Sequence, residues 1–246
     1  MNHAYDLLAS GQRVVRLPGV QGRIGRVLTV WSQIWPLAVA GALSPSITVI
    51  VLALLMRPDR PRARVLAFWL GAVLAMLVWA ILVSSALWGI VTDTERDLER
   101  FSRAIDFVLA TLLLAFAVWR VVHRTRAGAK PRFDFSSLEK QGLWSEAVFG
   151  AVMQGRNVTS VLLFLAAQQH IDTSRIPGYQ QLALTFIVIG IITASIWLPL
   201  LLPVKATDEL HSKLRGPRDW LAAHTKVIEV SAALLGSAYL FYRAFA

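Results

Sequence analysis

The chain has 246 residues, 56% of them hydrophobic and only 16% charged, with a formal net charge of +10 and no cysteine. This balance excludes a disordered chain, a disulfide scaffold and an ordinary soluble enzyme, in which about a quarter of residues are charged. It also excludes thiol relays, Cys-ligated zinc and iron–sulfur clusters, and a mean hydropathy of +0.55 points to a polytopic membrane protein.

Residues 1–26 hold Arg13, Arg16, Arg23 and Arg26 and read as a basic N-terminal arm, interfacial or flexible. Ala38-Val39-Ala40 has the small-x-small form of a signal-peptide cleavage site, but the apolar run continues to Met56, so a retained span is expected. Residues 27–246 read as one six-helix transmembrane domain. A bilayer core needs about 20 mostly apolar residues per helix. Six stretches meet that length: Trp31 to Met56, Val65 to Val91, Ala104 to Val122, Ala147 to Ala167, Tyr179 to Leu202, and Val227 to Phe245. Trp31, Trp35, Trp88, Trp119, Trp144, Trp197 and Trp220 flank these runs, where amphipathic rings settle at a membrane interface. Trp69 and Trp79 lie deeper and read as packing residues.

The loops after spans one, three and five carry fifteen Lys and Arg, against nine on the other side. The positive-inside rule then puts those loops in the cytoplasm and both termini outside. Bases between apolar runs are expected to lie against anionic lipid rather than nucleic acid.

Six spans divide into three plus three, and halves with an odd number of spans insert in opposite directions, as an inverted repeat. The repeats run over about 31–122 and 147–245. Span one holds Gly41-Ala42-Leu43-Ser44-Pro45-Ser46-Ile47-Thr48, and span four holds Gly150-Ala151-Val152-Met153-Gln154-Gly155-Arg156-Asn157-Val158-Thr159. Both open on Gly-Ala, weaken as helices and resume through a threonine. Pro45 has no N–H to donate, so a carbonyl near residue 41 loses its partner, with Ser44, Ser46 and Thr48 at hand to replace it. Gly155 weakens span four beside Gln154 and Asn157. Such paired breaks mark either a midplane transport site or structural kinks with small residues for close packing.

Arg156 lies ten positions into span four, about 15 Å from its start at helical rise. A guanidinium at that depth costs at least about 2.5–3.5 kcal/mol, and no acid sits mid-span to pair with it. Two readings stay open: it holds an anionic ligand through its donor fork, or it caps carbonyls freed by Pro45. Asp106 and Glu229 are candidates for proton coupling or for helix-dipole stabilisation at span starts. Glu146 is expected at the interface. His3, His123, His170, His211 and His224 read as loop or tail residues without metal-ligand spacing. No metal site, cofactor motif or catalytic triad is legible, and the chain is not expected to be an enzyme.

The Gly41-Ala42-Leu43-Ser44-Pro45 break, the loop Met56-Arg57-Pro58-Asp59-Arg60-Pro61-Arg62 and the run Ala67-Phe68-Trp69-Leu70-Gly71 together resemble the actinobacterial glycolipid-addressing proteins. That group contains the glycopeptidolipid- and sulfolipid-addressing proteins of the lysine-exporter superfamily, and the resemblance covers residues 34–245. In such proteins span four carries a motif like Asn-Pro-Lys-Asn. Gln154-Gly155-Arg156-Asn157 stands in its place, keeping a cation, a helix break and the last Asn.

The resemblance implies a plasma-membrane transporter moving an anionic lipid or glycolipid toward the envelope. Arg156, Asn157, Gln154, Gly155, Ser44, Pro45, Ser46 and Thr48 would form its binding site. Its expected partners are membrane lipids, a larger envelope-lipid transporter and a second copy in a homodimer. The competing expectations are a proton-coupled exporter of a small amphipathic solute such as an amino acid, and an accessory subunit docking through residues 123–145.

Overall fold

The computed structural model describes residues 18–57, 59–88, 95–123, 142–174, 176–201 and 208–245. The elements are α1 (Pro18–Ala42), α2 (Pro45–Leu55), α3 (Pro61–Trp88), α4 (Glu95–Val122), α5 (Leu143–Gly155), α6 (Val158–Asp172), α7 (Gly178–Ile192), α8 (Ala194–Trp197) and α9 (Asp208–Phe245), with a 3-10 turn at Leu198–Leu201. Among the described residues there is no strand.

Stretches of α3, α4 and α9 are each long and apolar enough to cross a membrane. Three bent pairs pass the same test: α1 with α2 at 56°, α5 with α6 at 74°, and α7 with α8 and its following turn at 50°. The apolar surface is on the outside. Leu66, Leu70, Leu74, Val78 and Ile81 form an exposed stripe along α3 at helical spacing. Water tolerates such a stripe poorly and lipid tolerates it well. The chain is a membrane protein.

Several helices outrun their apolar stretches. The first helix starts at Pro18, so residues 18–26 of the basic arm are helical, while residues 1–17 lie outside the described residues. The last starts at Asp208 and takes in Lys213, Arg215, Arg218 and Lys226, which hydropathy places in a loop. Hydropathy marks where hydrocarbon ends, whereas a helix continues as long as its backbone bonds repeat. Arg124, Arg126, Lys130, Arg132, Lys140, Arg175 and Lys205 lie outside the described residues.

The third bend, at Thr193, is not signalled by hydropathy. Thr193 Oγ1 donates back to Ile189 O at 2.8 Å and accepts from Trp69 Nε1 at 3.1 Å. A hydroxyl bonded back onto its own helix bends it. Trp69 and Trp79 both pack against the core.

Two contacts set the frame. At the crossing of α3 and α5, a Cβ on Gly71 would stand 1.7 Å from Ala147 O, and one on Gly150 would stand 2.0 Å from Phe68 O. Only glycine lets these backbones meet. The second contact pairs α4 and α9 antiparallel: Arg120 meets Glu229, Ser237 donates to Ala110 O, and Phe107 stacks edge-on with Phe241 and Phe245.

Candidate functional site at the crossed helix breaks

Pro45 occupies the first turn of α2. The Gly41 carbonyl therefore lacks its helical donor. Ser160 fills the gap from the other break, donating its hydroxyl to Gly41 O at 2.6 Å. The three side chains beside Pro45 bond elsewhere. Thr48 Oγ1 returns to Ser44 O at 3.0 Å, Ser46 Oγ donates to Glu229 Oε1, and Ser44 Oγ accepts from Asn157 Nδ2 at 2.8 Å.

Asn157 is the N-cap of α6, its Oδ1 accepting from Ser160 N at 3.4 Å. Its amide also donates to Ser160 Oγ at 2.7 Å. The two breaks thus cross, and Gly41, Ser44, Asn157 and Ser160 hold each other's loose backbone and side-chain groups. Such mutual satisfaction is what a bent helix needs in hydrocarbon.

Gly155 faces open space, so it serves the bend and not close packing. Gln154 is buried, and its Nε2 has no hydrogen-bond partner among the described residues. Arg156 ends α5, its N–H donating to Val152 O at 3.0 Å. Its side chain is exposed, between the exposed Val152 and Val158. Among the described residues its guanidinium has no partner, and the Gly41 carbonyl is bonded by Ser160 and not by Arg156.

Three further acids depart from the sequence reading. Glu146, in the first turn of α5, is fully buried within the protein; Arg64 and Arg57 reach it at 3.0 and 3.4 Å. Two of the four bases after span one therefore turn inward, while Arg60 and Arg62 stay exposed. Glu229 lies well inside α9, bonded by Ser46 and by Arg120 Nη2 at 2.9 Å. Asp106 lies well inside α4 and is buried, with Oδ1 3.1 Å from His170 Nε2. Neither acid sits in a first helical turn, so the helix-dipole reading falls.

His170 is not a loop residue. It is buried in the last turn of α6, because that helix runs past Ala167 through the polar stretch Gln168-Gln169-His170-Ile171-Asp172. Those residues find polar partners: Gln169 donates to Ser102, and Gln168 bonds Asp172 and Thr185. The run of consecutive hydrogen-bonding side chains was the available signal.

Two large cavities lie away from the breaks. One of about 720 Å³ sits among α1, α4, α6 and α9, with Arg26, Arg103, Asp106, His170 and Arg243 in its wall. The other, about 800 Å³, sits among α3, α6 and α7 and is mainly apolar around Ser84, Gln168 and Asp172. No residue of either break lines them.

Residues 34–246 match the family model SfLAP, described as Sap, sulfolipid-1-addressing protein. The chain belongs to the SfLAP family. The SfLAP match takes in both breaks, the Glu146 cluster and the α4–α9 pair. No match was found among curated proteins or solved structures.

Proposed function

We propose that this SfLAP protein is a transporter that moves an anionic lipid or glycolipid across the plasma membrane toward the cell envelope. The description of the family, as sulfolipid-1-addressing, supports a lipid cargo. The observation that carries the reading is Arg156: an exposed guanidinium at the α5–α6 bend, flanked by exposed valines and without a described partner. A cation on an apolar outer face suits a lipid whose charged head meets the protein while its tails stay in the bilayer. An enclosed aqueous site would suit a free solute better.

In this reading each bent pair is one span, and the six spans form a 3+3 inverted repeat with breaks in spans one and four. Helix pairings support it. α3 packs on α5 as α7 packs on α1, α2 packs on α9 as α6 packs on α4, and α2 meets α3 as α6 meets α7. The helices α4 and α9 also match in detail. Asp106 and Arg120 stand fourteen residues apart, as do Glu229 and Arg243. Under the shift of 123 positions that carries Asp106 onto Glu229, buried Leu109, Ala110 and Ala117 fall on buried Ala232, Ala233 and Leu240. Alternating access would then rock one repeat against the other around the crossed breaks, with both termini outside the cell.

The buried Asp106–His170 pair favours proton coupling, and with it the second reading, export of a small amphipathic solute. Transport by purified protein in proteoliposomes separates the two. Arg156→Gln is expected to slow translocation of a labelled anionic glycolipid by about tenfold, the loss of one charge-assisted contact, and Arg156→Lys to recover part of it. Unchanged lipid transport in Arg156→Gln at matched protein level would falsify the lipid reading at this residue.

A further inference from the structure

The cavity among α1, α4, α6 and α9 is distinct from the crossed breaks, and its wall is unusually cationic. Three helices each contribute one arginine, Arg26 from α1, Arg103 from α4 and Arg243 from α9, and His170 adds a fourth nitrogen base. Asp106 is the one carboxylate among the described lining residues, and it already faces His170 at 3.1 Å. The decisive group is Arg243. Its Nη1 is buried yet has no hydrogen-bond partner among the described residues. A buried guanidinium N–H left unmade is costly, because its hydration is lost without replacement.

The antiparallel α4–α9 pair supplies an internal control. Arg120 is the counterpart of Arg243, at the same spacing from an acid in its own helix. Across the pair, Arg120 meets the acid of α9 and is bonded to Glu229 at 2.9 Å. At the other end Asp106 Oδ1 stands 3.1 Å from His170 Nε2, and Arg243 lines the cavity.

We propose that this cavity is an anion-binding site that takes a tetrahedral oxyanion, sulfate or phosphate, with Arg243 as its central ligand. Arginines from three helices line the cavity, and a tetrahedral ion can take donors from several sides, whereas a planar carboxylate uses one fork. The ion is either free in solution or the charged group of a lipid head. The site does not depend on Arg156 or on transport, because it rests on the cavity and its own arginines.

The test uses the full chain in nanodiscs. Equilibrium binding of radiolabelled sulfate and of phosphate is measured in zwitterionic discs. Lipids retained through native mass spectrometry are counted from discs containing phosphatidylglycerol. Arg243→Gln is compared with wild type, with Arg62→Gln as a matched loss of charge from an exposed position. Saturable binding of the free ion, weakened about tenfold or more in Arg243→Gln but not in Arg62→Gln, supports the proposal with a solution source. One anionic lipid lost only in Arg243→Gln supports it with a lipid source. If Arg243→Gln does not fold, Arg103→Gln and Arg243→Lys carry the same comparison, with weakening expected in the first and near-normal binding in the second. Equal binding and equal lipid retention across all folded variants overturns the site. Transport that fails in Arg156→Gln while sulfate binding persists would leave it intact.

Discussion

The two ends of the α4–α9 pair carry the same kinds of side chain and use them differently. At one end Glu229 collects Ser46 from α2 and Arg120 from α4. At the other, Asp106 collects His170 from α6, and Arg243 is left on a cavity of about 720 Å³. The difference lies in the third helix. Where α2 offers only a short hydroxyl, arginine and acid close on each other. Where α6 offers an imidazole, its Nε2 stands 3.1 Å from the acid and the arginine lines the cavity. The third helix thus separates an end that is tied from an end whose arginine lines a cavity.

The scale for a tie is set by Glu146, which is 0% exposed between Arg57 and Arg64. Removing it takes the buried carboxylate away from two inward guanidinium groups, of which Arg64 keeps Asp59. Glu146→Ala is expected to cost about 3–5 kcal/mol, the penalty for breaking a buried pair, read as a large fall in Tm of detergent-purified protein. Glu229→Ala should come next, at about 2–3 kcal/mol, because its pair is part-exposed, Arg120 at 29% and Glu229 at 15%. If Glu229→Ala left Tm unchanged, the closed end would not be a tie, and the contrast between the ends would fail.

Much of this was legible before any fold was known. The Gly41–Pro45 and Gly155–Asn157 breaks are composition events, and both coincide with bends, because a missing N–H and a weak helix former act locally. What met at those breaks was not legible. Ser160 had no distinguishing context, and only the tertiary crossing puts its hydroxyl on Gly41 O. Arg156, as a mid-span cation, is expected from its depth to face a polar interior, but its side chain is exposed, because its direction is a matter of helix rotation, set by how α5 crosses α3 through Gly71 and Gly150. His170 falls outside the sequence-predicted span because a hydropathy window ends where polar side chains begin, even when those side chains are buried in the protein. The spacing shared by Asp106–Arg120 and Glu229–Arg243 was in the sequence throughout. It gained meaning only when α4 and α9 proved to be antiparallel neighbours.

The crossing between the breaks belongs to neither end and sharpens the comparison from the middle. Ser160→Ala would leave the Gly41 carbonyl, already without its helical donor, with no partner at all. A loss of about 1–2 kcal/mol is expected, and Ser160→Thr, which retains the hydroxyl, should recover part of it. Because the crossing carries no net charge, its effect should be insensitive to salt, in contrast to the part-exposed Glu229 pair. A salt-dependent Tm shift in Ser160→Ala would mean that the crossing acts through the charged ends.

Asp106→Asn is expected to have the smallest effect on stability, below about 1 kcal/mol, since an amide fills the same volume and Asp106 Oδ1 makes no hydrogen bond that the change would break. Its effect on the cavity should be opposite in sign to every tie-breaking variant. Asp106 is the one carboxylate among the described residues of that wall, and it repels any anion held by Arg243. At separations of several ångströms and an effective dielectric near 20, removing one such charge is worth more than about 1 kcal/mol. Sulfate affinity of the nanodisc-embedded protein should therefore rise by about fivefold or more in Asp106→Asn, while Tm barely moves. A variant that instead lost both stability and binding would show Asp106 to be a structural tie like Glu229, and the two ends of the pair would then be alike.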